Sequence, residues 1–291
     1  MDVQSALRSA ARLFLKEGSE VRVQVDPHRV TAEHGHDVRV GCHYSTKRLS
    51  GLAWDRSLLR AFLRALLEVG EEILRVKWQL DSRSGLAGGV LVGPTWLRAR
   101  GELVERDAFF YHYRNRIPFR KVGVRRIDNV MLDVYQLESA DPEIAVAFVI
   151  AQSWSEASSF LHFATAASVD LDSASLRASK EYLSLKRYLA VNSERLSARA
   201  GNSAECLKDR SLFHFKACTD PRNLEIFRIL LCGESRMASG RCSRPLVWMM
   251  TRYRSPIRGF KFLRAESTDL QKIEFGIPEG NEDPPLFHPF W

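Results

Sequence analysis

Three groups of residues in this chain have the types and spacing to do chemistry. The first is Glu33, His34 and His36, with His28, Cys42 and His43 nearby. If His34-Gly35 is a two-residue hairpin loop, Glu33 and His36 face each other across it and His34 leans over them. Two imidazoles and a carboxylate would then converge on a divalent metal, with a fourth position left for water. His43 lies about 20 Å further along the strand, too far to join. Histidines in surface hairpins usually ligate nothing, so the expectation is no metal, with Glu33, His34 and His36 as the alternative. The second group is Cys206, His214, Cys218, Cys232 and Cys242. Zinc favours thiolate and imidazole ligands in tight pairs such as Cys-x2-Cys, and here only His214 and Cys218 are close. Cys232 ends an amphipathic helix and reads as core. Neither group implies a cofactor.

The third group is a basic and aromatic strip. Between Arg236 and Arg264 stand eight Arg or Lys and four aromatics (Trp248, Tyr253, Phe260, Phe262) with no acidic residue. From Arg98 to Arg126, nine more Arg or Lys face only Glu102, Glu105 and Asp107. The two blocks carry +14 of a chain whose net charge is +8, so the remainder is net negative. Charge separated this sharply reads as a footprint for a polyanion. As an extended strand, Arg258, Phe260, Phe262 and Arg264 share one face. Exposed phenyl rings there would stack unpaired bases while guanidiniums hold phosphates; buried rings would make the same residues core.

The octamer Arg258-Gly259-Phe260-Lys261-Phe262-Leu263-Arg264-Ala265 resembles the first ribonucleoprotein signature of the RNA recognition motif, in which a basic residue and Gly precede two exposed aromatics. Over residues 211–277 the resemblance implies a partner strand at Leu212 to Ala217, the helix from Pro221, and a strand around Val247 to Arg252. It implies base stacking by Phe260 and Phe262. Lys261 and Ala265 depart from the signature.

These residues must be positioned by an α+β architecture, with antiparallel sheets flanked by helices and two lobes conceivable. A first helix from Asp2 to about Lys16 precedes a three-stranded meander turning at Asp26-Pro27 and His34-Gly35. Asp55 caps an amphipathic helix ending near Gly70, and Leu74, Val76, Trp78 and Leu80 alternate as a strand. Gly85 to Gly93 suits a turn and return strand, whereas 98–126 mixes helical and alternating signals. Val130 to Leu137 and Ile144 to Ile150 form a hairpin; Ser153 and Glu156 have capping-box spacing for a helix to Ala167. A polar helix over 176–196 and a capped one from Asp220 to Gly233 follow. The expected division is an N-terminal α+β domain over 1–168, a helical connector over 169–203 and a basic α+β domain over 204–291. Its acidic end, from Glu266, reads first as a solvated extension whose Phe287, Phe290 and Trp291 dock on the body, with an electrostatic gate over the basic strip as the alternative.

Common phosphate-loop, dinucleotide, esterase-elbow and zinc-protease motifs are absent. Five cysteines without a Cys-x-x-Cys pair, and no apolar run long enough to span a bilayer, point to an intracellular protein, cytoplasmic or nuclear. The function expected is non-catalytic binding of RNA or another single-stranded nucleic acid. Its contacts would come from Arg252, Arg254, Arg258, Phe260, Lys261, Phe262 and Arg264, with Arg114, Arg116, Arg120, Lys121, Arg125 and Arg126. The alternatives are a nuclease or other phosphodiester hydrolase using a His or carboxylate cluster, and a viral or defence-associated regulator binding an acidic protein.

Overall fold

The computed structural model describes residues 2–30, 33–80, 85–154, 160–199, 210–233, 246–270, 278–279 and 286–287. The class is α+β, with antiparallel sheets and helices, as the sequence pattern predicts. The chain divides into two units that are not cut at 169–203. One is Met1–Arg100 with Trp248–Glu266, the other Gly101–Val247 with Ser267–Trp291.

In the first unit, α1 (Val3–Phe14) is capped as expected: Ser5 N donates to Asp2 at 2.7 Å. The meander is present but longer, with β1 (Ser19–Val30), β2 (Glu33–Tyr44) and β3 (Lys47–Asp55) in order β1-β2-β3. Neither expected turn exists, because Asp26 pairs with Asp37 and Pro27 with His36 inside the ladder. Pro27 is tolerated because β1 is an edge strand, where one side needs no N–H donor.

Helix α2 (Leu58–Lys77) is capped by Ser57 rather than Asp55, runs through Gly70 and takes up the first half of the expected strand, with Trp78 as its C-cap. Gly70 is a close approach, not a stop: a Cβ there would lie 2.5 Å from Phe262 Cζ. The apolar face of α2 (Phe62, Leu66, Val69, Ile73) fills the core against β2, β3 and Phe262.

The second sheet of this unit has the order β4-β10-β9, from β4 (Leu86–Gly89), β10 (Lys261–Glu266) and β9 (Met249–Tyr253). Strand β4 is the expected return strand. It is anchored by the buried Glu71, which accepts from Gly88 N at 3.1 Å, while Arg98 donates to Gly88 O at 2.9 Å.

Helix α3 (Val92–Asn115) takes the first part of 98–126, whose sequence signals mix, and a strand takes its end. From Gly101 on the helix belongs to the second unit, with the four-stranded sheet β5-β6-β7-β8: β5 (Arg120–Ile127), β6 (Val130–Leu137), β7 (Ala145–Ala151) and β8 (Phe163–Ser168). The β6-β7 hairpin is as expected, with Leu137 opposite Val146. The helix expected to reach Ala167 is instead strand β8 at its end.

Helix α4 (Leu171–Arg199) is a core element rather than a connector, burying Ala174, Ala178, Tyr182 and Leu183. Helices α5 (Arg210–Thr219) and α6 (Pro221–Cys232) follow, the latter with the expected Asp220 cap and Pro221 start. Because 210–219 is helical, the partner strand implied by the RNA recognition motif resemblance is not there. Two short strands, β11 (Pro278–Glu279) and β12 (Leu286–Phe287), pair near the C-terminus. Among the described residues no helix is long and apolar enough to cross a membrane.

Candidate functional site

The residues expected to do chemistry are placed otherwise. In the β1-β2 ladder Glu33 pairs with Val30 and His34 with Arg29, so Glu33 and His36 do not face each other across a turn. The side chains of Glu33 and His34 lie outside the described residues, as do Cys206, Cys242 and most of the acidic tail. His214 and Cys218 sit one turn apart on α5, buried, with Nε2 and Sγ 3.3 Å apart; burial pushes the Cys218 thiol far up, so it stays a neutral thiol. Cys232, read as core, is exposed. Among the described residues no group of three or more His, Cys, Asp or Glu stands ready to hold a metal ion.

The basic blocks are equally instructive. Phe262, on the central strand β10, is wholly buried, and Phe260 packs edge-on against Phe14 with centroids 6.4 Å apart. The Phe262 ring is therefore core and cannot stack a base, while Phe260 is half-buried. On β5, Lys121 pairs with Asp133 at 2.7 Å, Arg125 with Asp172, Arg120 with Gln136, and Arg126 Nε donates to Asp128 O. Arg114 and Arg116 lie over the rings of Phe110 and Tyr113. Arg264 pairs with Glu266 at 3.2 Å. Much of the apparent polyanion footprint is thus committed within the protein. Arg252, Arg254 and Arg258 are exposed, and Lys261 is half-buried.

A polar site forms where no motif predicts one, at the few carboxylates of the first basic block. On α3, Glu102, Glu105 and Arg106 stand at i, i+3 and i+4 and so share a face. Arg106 pairs with Glu102 at 3.0 Å. From β8, Thr165 Oγ1 donates to Glu105 Oε1 at 2.6 Å, and from α4 the Arg177 guanidinium is near enough to act on the same carboxyl while donating to Ala167 O. Burial pushes the Glu105 carboxyl above the usual carboxylate range; the Thr165 bond, Arg177 and Arg106 offset this in part, and Glu102 adds to the rise.

Aromatic packing fixes this face. Phe109 of α3 stacks on Phe163 of β8 at 5.6 Å, and Phe163 stacks on Phe148 of β7 at 5.0 Å. At the end of α3, His112 accepts from Glu138 N at Nε2, so its Nδ1 carries the proton donated to Ile117 O, both at 2.9 Å. Beside β8, His162 lies flat on Tyr182 at 4.0 Å, and burial, with Lys186, lowers its pKa to about 4, keeping the ring neutral.

Two carboxylates and two guanidiniums on two helices, with a hydroxyl from β8, suit a particular ligand chemistry. A hard dication such as Mg2+ takes one or two carboxylates and completes its shell with water and phosphate oxygens. Guanidinium forks take the remaining phosphate oxygens. Glu102, Glu105, Arg106 and Arg177 thus offer the donor types that a metal-bound phosphate compound uses.

The same shift has a measurable consequence. A carboxyl whose folded pKa lies above its unfolded value contributes stability that is complete below the unfolded value and is lost as pH rises through the folded one. Glu105→Gln should therefore gain stability relative to the parent as pH rises, with no change in the difference at acid pH. Denaturant melts of both proteins over a pH series check this.

No protein-family model matches the sequence, and no curated protein is significantly similar to it. Solved structures are similar in fold. A heterocyclase in complex with substrate and cofactor superposes with TM-score 0.54 at 12% identity, over 86% of this chain and 50% of that one. The E. coli microcin synthetase McbBCD complex with pro-MccB17 bound gives 0.51 at 8% identity, over 86% and 88%. YcaO from Methanopyrus kandleri, bound with AMPPCP and Mg2+, gives 0.45 at 14% identity, over 61% and 65%. The chain spans about half the length of the first heterocyclase. The expectation of an RNA-binding, non-catalytic protein is overturned by the first two likenesses, whose shared fold is that of a heterocyclase and a microcin synthetase. What the comparisons establish for this chain is that fold.

Proposed function

We propose that this chain is a peptide-modifying enzyme built on the heterocyclase fold. In this reading it takes a peptide substrate and uses a metal-bound phosphate compound held by Glu102, Glu105, Arg106 and Arg177. The observation that carries the reading is the Glu105 site. Two carboxylates and two guanidiniums gather there although ion pairs of this kind rarely add net stability; Glu102, Glu105 and Arg106 are half-buried and Arg177 is exposed. Its placement in a fold shared with a heterocyclase bound to substrate and cofactor, and with a synthetase bound to pro-MccB17, supports peptide chemistry over other uses.

When bound, the phosphate compound would supply a group able to activate an otherwise inert amide oxygen. The chain's own residues do the rest. Glu102 and Glu105 offer carboxylate oxygens to the cation, Arg106 and Arg177 neutralise phosphate oxygens, and Thr165 holds the Glu105 carboxyl in one rotamer. The site requires a Cys, Ser or Thr in the peptide, because closing a ring onto a backbone carbonyl needs a side-chain heteroatom. With ATP as that compound, the amide oxygen would take its terminal phosphoryl group, leaving ADP, and closure would break the carbon–oxygen bond with inorganic phosphate as leaving group and loss of the heteroatom and amide protons, so the peptide would become lighter by one water. The test is mass spectrometry of short Cys-, Ser- and Thr-containing peptides incubated with the full chain, Mg2+ and ATP. Loss of one water from any of them is expected. Unchanged peptides throughout, with nucleotide binding also absent, would overturn the proposal.

A further inference from the structure

Among the described residues, β9 is an outer strand of the β4-β10-β9 sheet with no further strand paired to it. β10 is central and buried on both faces through Phe262, Leu263 and Ala265, but β9 presents Met249, Met250, Thr251 and Arg252 as four consecutive exposed residues. Met249 and Met250 are 51% and 53% exposed. An edge strand normally protects its unpaired backbone groups with a bulge, a Pro, a cover or charges on both faces. Here β9 pairs with β10 in unbroken register from Tyr253 opposite Phe262 to Met249 opposite Glu266, with flexible apolar side chains in place of a cover. Such an edge is built to accept another strand.

Charge selects the occupant. Arg252, at the end of the strand, and Arg254 and Arg258, just beyond it, are exposed, and among the described residues no carboxylate pairs with them. The nearest acid along the ladder, Glu266, is already held by Arg264. A second copy of this chain added edge to edge would bring two such arginine sets together, which like-charge repulsion opposes. A strand carrying Asp or Glu would neutralise them while its apolar residues cover Met249 and Met250.

We propose that the outer edge of β9 takes an extended, acidic peptide segment as a fourth strand of the β4-β10-β9 sheet. This rests on the peptide reading above and adds to it the class of segment recognised. Backbone pairing supplies affinity without demanding a sequence, and Arg252, Arg254 and Arg258 set the charge preference and draw the segment in.

The probes are a short labelled peptide of alternating Val and Glu, and the same peptide with Lys in place of Glu. Titrated into the full chain, the Glu peptide should bind at least roughly tenfold more tightly than the Lys peptide, and Arg252→Glu with Arg254→Glu should reverse that preference. Hydrogen exchange on the unmodified chain should show residues 249–253 becoming protected when the Glu peptide is added. That second measurement stands even if the double variant folds poorly. Equal binding of both peptides, binding of neither, or protection of 249–253 by self-association without peptide would overturn the proposal. Peptide binding that leaves 249–253 unprotected would also overturn it, while leaving the peptide-modifying reading intact. Protection at 249–253, with no peptide ever losing water and no nucleotide bound, would leave this edge site standing and sink the enzymatic reading.

Discussion

Phe262→Ala should cost roughly 3–5 kcal/mol of folding stability, the range for deleting a fully buried aromatic ring. Phe262 is wholly buried and fills the space left by two glycines: a Cβ on Gly70 would lie 2.5 Å from its Cζ and a Cβ on Gly88 2.6 Å from its Cε1. Neither side can close over the cavity, because α2 is held by Phe62, Leu66 and Val69 in the core and β4 is tied by Gly88 to Glu71 and Arg98. Phe260→Ala should cost clearly less, since that ring is only partly buried against Phe14. Denaturant melts of the two variants check the order. Equal, small losses would return Phe262 to the surface role its sequence context suggests.

The larger functional effect is expected at Glu105. Glu105→Gln keeps the size of the side chain and an acceptor for Thr165 Oγ1 but removes the charge a cation needs. Turnover of any peptide that the full chain modifies should fall roughly 10²–10⁴-fold, the range for removing a positioned charged group from an active site. The protein should remain folded, and more stable than the parent at higher pH. A variant that turns over peptide at the parental rate would show that the charge cluster only holds α3 to β8.

Much of the fold is legible in the sequence where local and tertiary signals agree. The Asp2 cap, the β6-β7 hairpin and the Asp220–Pro221 start of α6 are of this kind. Elsewhere tertiary contacts override local signals. Leu74, Val76, Trp78 and Leu80 alternate like a strand, yet Leu74 and Val76 lie in α2 and Trp78 caps it, because Gly70 admits the Phe262 ring instead of stopping the helix. The Ala-rich β8 reads as helix but is packed between its sheet neighbour and α4, where small residues fit.

The site is hidden for a related reason. Glu102, Glu105 and Arg106 form a spacing that can be read only if 92–115 is helical, and the alternating basic residues around them obscure that. Their partners Thr165 and Arg177 are supplied by elements some 60 and 70 residues away, a pairing that no local pattern encodes.

The central claim is that the Glu102, Glu105, Arg106 and Arg177 face holds a metal-bound phosphate compound. Isothermal titration of the full chain with ATP, with and without Mg2+, tests it most directly, with Glu105→Gln and Arg177→Ala alongside. The account predicts one nucleotide bound per chain, dependent on Mg2+ and lost in both variants. Binding that persists unchanged in the variants, or no binding by the parent protein, would contradict it.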